Sequence, residues 1–316
     1  MKRALIFGVS GQDGSYLSRL LLNKGYEVHG TSRDATVSSF VNLSKLKIKE
    51  HVHLHSMSPV DFRSVLQTIE IVEPDEIYNL AGQSSVGLSF EQPVETLESV
   101  AMGTLNMLEA IRFLGSKCRF YNASSSECFG EAETGGSSES SPFRPRSPYA
   151  VAKATAFWEV SSYREAYDLF ACSGILFNHE SSLRPERFVT KKIIKGALDV
   201  KKGKIESISL GDLSVERDWG WAPEYVEAMW LMLQQQQPDD FVIGTGVSNS
   251  IQEFVELAFD HLGLNWKDHV KLSDGFKRPS DIRVSRANPE KAFNVLGWKS
   301  TIDLDGIVKK MLENEC

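Results

Sequence analysis

Short apolar runs alternate with helical stripes through the first two thirds of the chain. Residues 4–7 (Ala-Leu-Ile-Phe) form one such run, and Tyr16, Leu17, Leu20 and Leu21 then recur at helical spacing. That stripe predicts a helix over 15–24, stopped by Gly25. Further strands are expected at 27–31, 52–55, 76–80, 118–123 and 169–176, with helices at 61–72 and 93–114 between them. Strands alternating with helices predict a parallel sheet covered on both faces. Residues 131–141, rich in Gly, Ser and Glu, read as an exposed loop that continues through 142–148. After about Pro185 the pattern loosens into helices at 191–201, 224–237 and 251–262 and a short strand at 205–210.

Composition narrows the class. The 316 residues are 41% hydrophobic and 24% charged, ordinary values for a soluble globular protein. The net charge is −7 and no basic run could track a phosphate backbone, so no nucleic-acid partner is expected. The apolar run after Met1-Lys2-Arg3 is too short for a leader and reads as a first strand. No apolar stretch reaches the roughly 20 residues of a membrane span, and a cytoplasmic protein is expected. Cys118, Cys128, Cys172 and Cys316 lack metal-ligand spacing and read as free thiols. No metal site is expected.

Gly8, Gly11 and Gly14 lie between the first strand and the first helix, with Gln12 and Asp13 inside the turn. Glycine there lets the backbone approach a pyrophosphate, and the helix N-terminus offers free N–H groups. The spacing G-x-x-G-x-x-G is weak alone and gains weight from its place in the α/β pattern. The fold class expected is therefore a Rossmann-type doubly wound parallel sheet. It would occupy residues 1–180, with some later segments returning to it, and residues 181–316 would form a smaller mixed α/β substrate-binding portion. At the end of the second strand, Arg33 suits a ribose 2′-phosphate whereas Asp34 suits a 2′-hydroxyl. NADP is favoured, and NAD stays open.

Tyr149 and Lys153 share one helix face at i,i+4 spacing. An ammonium beside the phenol is expected to lower its pKa and make Tyr149 a proton acceptor. Ser124, Ser125, Ser126 and Glu127 follow a strand end, where open α/β sheets bind ligands. Serines there also suit a plain turn, and Glu127 also suits a solvated loop. A reductase needs a serine, Tyr149 and Lys153. The surplus carboxylate Glu127 argues for elimination.

Through these residues the chain resembles the extended short-chain dehydrogenase/reductases that act on nucleotide sugars, most of all the GDP-mannose 4,6-dehydratase family. The likeness runs nearly end to end. It is carried by the segments 8–17, 79–84, 125–127, 146–153, 163–167, 174–181, 217–220 and 225–230. It implies a hydro-lyase that converts GDP-D-mannose to GDP-4-keto-6-deoxy-D-mannose. In that chemistry Tyr149, assisted by Lys153, takes the O4 proton, Glu127 takes the C5 proton, and Ser125 stands where threonine is usual. The resemblance further implies cofactor contacts from Gly8, Gly11, Gln12, Asp13, Gly14, Arg33, Leu80, Ala81, Gln83, Tyr149, Lys153, His179 and Arg184. It implies substrate contacts from Ser84, Ser85, Ser126, Asn178, Lys192, Arg217 and Arg278, and a homodimer or homotetramer.

The chain departs from that family's pattern at Asp34, at Met57-Ser58-Pro59, at Ser85, at Leu183-Arg184-Pro185 and at Asp281-Ile282-Arg283. Ser85 and the 183–185 loop leave a GDP-linked mannoheptose open as substrate. An epimerase or 4-reductase on the same fold is a further alternative, one that would not use Glu127.

Overall fold

The computed structural model describes residues 1–132, 134–273, 275 and 279–313. Its strands are β1 Arg3–Phe7, β2 Glu27–Ser32, β3 Val52–Ser56, β4 Glu76–Asn79, β5 Arg119–Ser125, β6 Ala171–Leu176, β7 Asn178–Glu180, β8 Ile208–Leu210, β9 Glu216–Trp221, β10 Phe241–Ile243, β11 Ser248–Ser250 and β12 Val270–Leu272. The helices that matter below are α1 Gln12–Asn23, α2 Val41–Lys45, α3 Phe62–Val72, α4 Val86–Glu91, α5 Pro93–Leu97, α6 Gly103–Phe113, α7 Pro148–Tyr167, α8 Val189–Lys201, α9 Ala222–Met232, α10 Ile251–Asp260 and α11 Leu304–Glu313.

Seven strands form one sheet in the order β10-β6-β5-β4-β1-β2-β3. Every neighbouring pair is parallel. Alternation along β1 explains the two covered faces. Ala4 and Ile6 pack with Leu17, Leu21, Val226 and Met229 of α1 and α9. Leu5 and Phe7 pack with Val65, Ile69, Leu108, Ile111 and Val160 of α3, α6 and α7. Both faces of a parallel sheet are buried, so its strands read as continuous apolar runs. The chain leaves β1 toward β2 and β3 on one side and continues from β4 on the other. This reversal opens a crevice beyond the C-terminal ends of β1 and β4.

The remaining strands make two small sheets. In one, β7 lies parallel to β9 and β11 antiparallel to it. In the other, β8 pairs with β12 in parallel. Ile193, Ile194, Trp219, Phe254, Phe259, Ile307 and Met311 fill a separate core between them and α8, α10 and α11. Ser250 and Glu253 form a reciprocal capping box that starts α10.

The structure shifts some expected boundaries. The helix expected over 93–114 is α5 and α6 joined by a wider turn at Glu98–Met102. The strand expected over 205–210 shrinks to β8, because Ile205 and Glu206 are exposed and bury nothing against the small sheet. β10 is three fully buried residues that return to the edge of the main sheet beside β6. Cys118, Cys128 and Cys172 are buried free thiols. Cys316 lies outside the described residues. Among the described residues, no helix is long and apolar enough to cross a membrane.

Candidate active site

A cleft of about 2120 Å³ runs across the C-terminal ends of the strands and onto the small sheets. Single drug-sized ligands occupy roughly 300–1,000 Å³, so this cleft has room for two. Every expected site residue among the described ones lines it. Arg278 lies outside the described residues.

The glycine turn forms one wall. Gly8 has φ +87°, a left-handed conformation that glycine adopts without strain. A Cβ on Gly8 would meet the Leu80 carbonyl oxygen at 2.7 Å, and one on Gly14 would meet the Gly8 oxygen at 2.4 Å. The turn closes through Gly11 N–H donating to Gly8 O at 3.1 Å, and Gly11 then starts α1. Backbone packed this closely, ending in free helix N–H groups, fits a dinucleotide pyrophosphate. Leu80 donates its N–H to Phe7 O at 3.0 Å, and Ala81 donates to Asn79 Oδ1 at 3.3 Å. These bonds hold the end of β4 against the turn.

Gln12 and Asp13 do not point freely into the cleft. Gln12 donates to His179 O at 3.2 Å and to Asp13 Oδ1 at 3.0 Å, and it accepts from Ser181 Oγ at 2.7 Å. Asp13 Oδ2 lies 2.9 Å from His179 Nε2. Burial works against ionising Asp13, yet the His179 imidazole outweighs it and holds the carboxyl below its usual range. Arg184 stacks its guanidinium 3.7 Å from the Phe188 ring centroid. Its Nε lies 3.2 Å from Glu180 Oε2, an ion pair without an aligned hydrogen bond.

Beyond β2, Asp34 accepts hydrogen bonds from Thr36 N and Val37 N at 2.9 and 3.1 Å. Both bonds go to Oδ1, so one of its two oxygens is committed to its own loop. Arg33 is exposed and makes no hydrogen bond or ion pair among the described residues.

The end of β5 and the start of α7 form the opposite wall. Ser147 caps α7 by accepting from Ala150 N at 3.1 Å, and Pro148 takes the first helical position. This start turns Tyr149 and Lys153 toward β5. Lys153 Nζ donates to Ala123 O at 2.6 Å and lies 6.0 Å from the Tyr149 ring centroid. Burial pushes the Lys153 ammonium down to about 8. Ser125 hydrogen-bonds Tyr149 and also accepts from Glu127 N at 3.3 Å. Ser126 is buried and Glu127 half-buried, both facing the cleft.

One electrostatic expectation is corrected. Lys153 was expected to depress Tyr149, but burial dominates and pushes the phenol up, with the Ser125 hydrogen bond opposing it. The ammonium is aimed at the Ala123 carbonyl rather than at the phenol, so it does not offset the loss of solvent.

The third wall comes from the small sheets and the turn after β4. Gln83 donates to Ser85 O at 2.8 Å and to Thr96 Oγ1 at 3.2 Å, and accepts from Ser85 N. Ser85 Oγ caps α4 through Leu88 N at 3.3 Å. Asn178 begins β7, directly after the main sheet. Lys192 Nζ donates to Ser209 O at 2.7 Å, and burial lowers its pKa. Arg217 is 7% exposed and donates to Ile282 O at 2.8 Å and Asp281 Oδ1 at 2.9 Å. Sequence reasoning missed Arg187, whose Nη2 lies 3.4 Å from Ser84 Oγ across the cleft. The cluster Arg184-Pro185-Glu186-Arg187 was the available signal.

Comparison with known proteins shows the family and the fold. A family model described as GDP-mannose 4,6 dehydratase matches residues 5–311. The chain is 45% identical to GDP-mannose 4,6 dehydratase 2 of Arabidopsis thaliana, over 99% of this chain and 87% of that one. It is 41% identical to the GDP-mannose 4,6-dehydratase of Vibrio cholerae, over 98% and 93%. Among solved structures, a Thermus thermophilus UDP-glucose 4-epimerase in complex with NAD superposes with a TM-score of 0.86 at 25% identity, covering 99% and 98% of the two chains. The Streptomyces venezuelae dTDP-glucose 4,6-dehydratase DesIV, at TM-score 0.87 and 22% identity over 99% and 98%, shares the fold. The chain, matched over almost all of its length, belongs to the GDP-mannose 4,6-dehydratase family.

Proposed function

We propose that this protein dehydrates GDP-D-mannose to GDP-4-keto-6-deoxy-D-mannose with a bound nicotinamide dinucleotide. The observation that carries the reading is the meeting of Ser125, Glu127, Tyr149 and Lys153 in the same cleft as the glycine turn. Relatives named for this activity support the substrate. When bound, the nicotinamide supplies a hydride acceptor for sugar C4 and the same hydride for C6. Tyr149 is the group that takes the O4 proton, with Ser125 holding the oxygen between them. The Lys153 ammonium, 6.0 Å from the Tyr149 ring centroid, adds positive potential that favours the phenolate without outweighing burial. Once C4 is a ketone, the C5 hydrogen is acidic, and Glu127 takes it. The same carboxyl then protonates the departing C6 hydroxyl; return of the hydride to C6 would leave an enolate that takes a proton from solvent at C5, so one water is lost and no net oxidation results. Asn178, Lys192, Arg217 and Arg187 sit on the side suited to the GDP moiety, where cations favour a diphosphate.

The cofactor we assign is NADP. Exposed, uncommitted Arg33 favours a 2′-phosphate, and Asp34 commits Oδ1 to its own loop. Subunits are expected to pair as dimers or tetramers, and the compartment is expected to be the cytoplasm.

The test is direct. Purified protein is incubated with GDP-mannose in deuterated water without added reductant, and products are read by mass and NMR. Loss of one water with deuterium at C5 is expected. Turnover that consumes added NADPH stoichiometrically would instead make it a reductase. A parallel incubation with the GDP-linked heptose compares the two sugars.

A further inference from the structure

His179 stands out because both ring nitrogens face acceptors and its ring face lies on an aromatic. Nδ1 lies 2.7 Å from the Phe177 carbonyl oxygen, which can only accept, so Nδ1 carries a proton. Nε2 lies 2.9 Å from Asp13 Oδ2, whose carboxylate also accepts. The ring face stacks on Tyr225, with centroids 4.5 Å apart and planes at 29°. That face is electron-rich and attracts positive charge. Gly220 makes the stack fit. It is the cross-strand partner of His179 in β9, and a Cβ there would meet Tyr225 Cε2 at 2.2 Å.

We propose that His179 is a positioning residue, a buried imidazolium that neutralises Asp13 and pins the glycine turn to β7. Asp13 sits in the first turn of α1, where an anion is to bind. An unpaired carboxylate there would repel a diphosphate. The imidazolium cancels that charge and leaves the helix N-terminus positive. It also ties the turn to β7, so the cofactor wall and the Asn178 wall move as one. This deepens the cofactor assignment proposed above and rests on it.

The charged groups facing the pair are few. Arg184 and Lys153 act on Asp13, and Arg184 also acts against a charge on His179. Arg184 is itself paired with Glu180. Burial disfavours the imidazolium, yet Asp13 outweighs it and holds the ring above its ordinary value.

Two measurements test this. The first is ¹⁵N NMR of histidine-labelled wild-type protein, which reads the protonation of both ring nitrogens directly. A doubly protonated His179 ring at pH 8 is expected, and a neutral ring there overturns the proposal. The second is NADPH affinity by fluorescence titration in wild type, His179→Gln and the double variant Asp13→Asn/His179→Gln. The single variant leaves Asp13 uncompensated, and NADPH is expected to bind about tenfold or more weakly. The double variant removes both charges and keeps two amides that can hydrogen-bond. Its affinity is expected to recover toward wild type, at least about threefold tighter than the single variant. A single variant with unchanged affinity, or a double variant as weak as the single, overturns the charge role. If wild type binds neither NADPH nor NADH, the cofactor assignment falls, and the NMR measurement alone decides the state of the ring.

Discussion

Lys153→Met separates what the ammonium does for stability from what it does for catalysis. The buried ammonium is pushed down from 10.5 to about 8 by burial alone against the charges near it. In energy, that is a cost of about 3 kcal/mol for keeping the charge in the folded state. Replacing Lys153 by Met removes the charge and keeps the apolar stem. It also orphans the Ala123 carbonyl, which accepts from Nζ at 2.6 Å. An orphaned buried acceptor costs about 1–3 kcal/mol. The net effect at neutral pH is therefore between zero and a gain of about 2 kcal/mol. Turnover of GDP-mannose should fall by about a hundredfold or more, because Tyr149 loses its neighbouring charge. The pH dependence has a definite sign. A lysine depressed in the folded state is released from its cost above the unfolded value, near 10.5. Wild-type stability is lost as pH falls from there toward 8, and below 8 the loss is complete. In denaturant unfolding, the variant should thus lose about 3 kcal/mol relative to wild type as pH rises from 7 to above 10.5, and end less stable by the about 1–3 kcal/mol of the orphaned Ala123 carbonyl. A Lys153→Met protein destabilised by more than about 2 kcal/mol at pH 7 would show that the ammonium is net stabilising and would refute this accounting.

Three further outcomes are expected. Glu127→Gln should still oxidise C4, seen as transient NADPH absorbance, yet release 4-keto-6-deoxy product at least about a hundredfold more slowly; normal product formation would remove Glu127 as the C5 base. Arg33→Ala should weaken NADPH binding by about tenfold or more while leaving NADH binding nearly unchanged, as fluorescence titration of both would show; equal losses would mean that Arg33 does not read the 2′-phosphate. Glu159→Gln should stabilise the protein at neutral pH, since Glu159 Oε2 is buried with no hydrogen-bond partner among the described residues and burial pushes its carboxyl up to about 7. An acid raised in the folded state loses stability as pH climbs from its ordinary 4.5 toward 7, so the gap between variant and wild type should be near zero at pH 4.5 and open to about 1 kcal/mol above pH 7 after allowing for partial exposure.

What could be read from the chain depended on the range of the interaction. The glycine turn and the Tyr149/Lys153 pair are local devices, in which a few consecutive residues hold the geometry. The main sheet is legible for the same reason, since each strand is an apolar run next to its own helix. β10 escaped because three residues cannot display a period, and its place beside β6 comes from packing 65 positions after that strand ends. The charge state of Tyr149 escaped because spacing on a helix fixes which residues are neighbours but not where the ammonium points. That direction is set by the Ala123 carbonyl at the end of β5, thirty residues upstream.

The same limit explains His179. In the chain it is one histidine after a strand, indistinguishable from a packed core residue. Its setting is assembled from Asp13 in the first helix, Gly220 in β9 and Tyr225 in α9, none near it in sequence. Asp13 in turn looks like a generic acidic residue in a helix first turn, which the helix dipole favours. Only their contact shows that one part of the fold supplies the positive charge that lets the other keep a carboxylate beside an anion site. A charge pair that joins the two walls of a cleft couples cofactor affinity to the placement of Asn178. Its loss should therefore appear in the binding of both ligands, not of the cofactor alone.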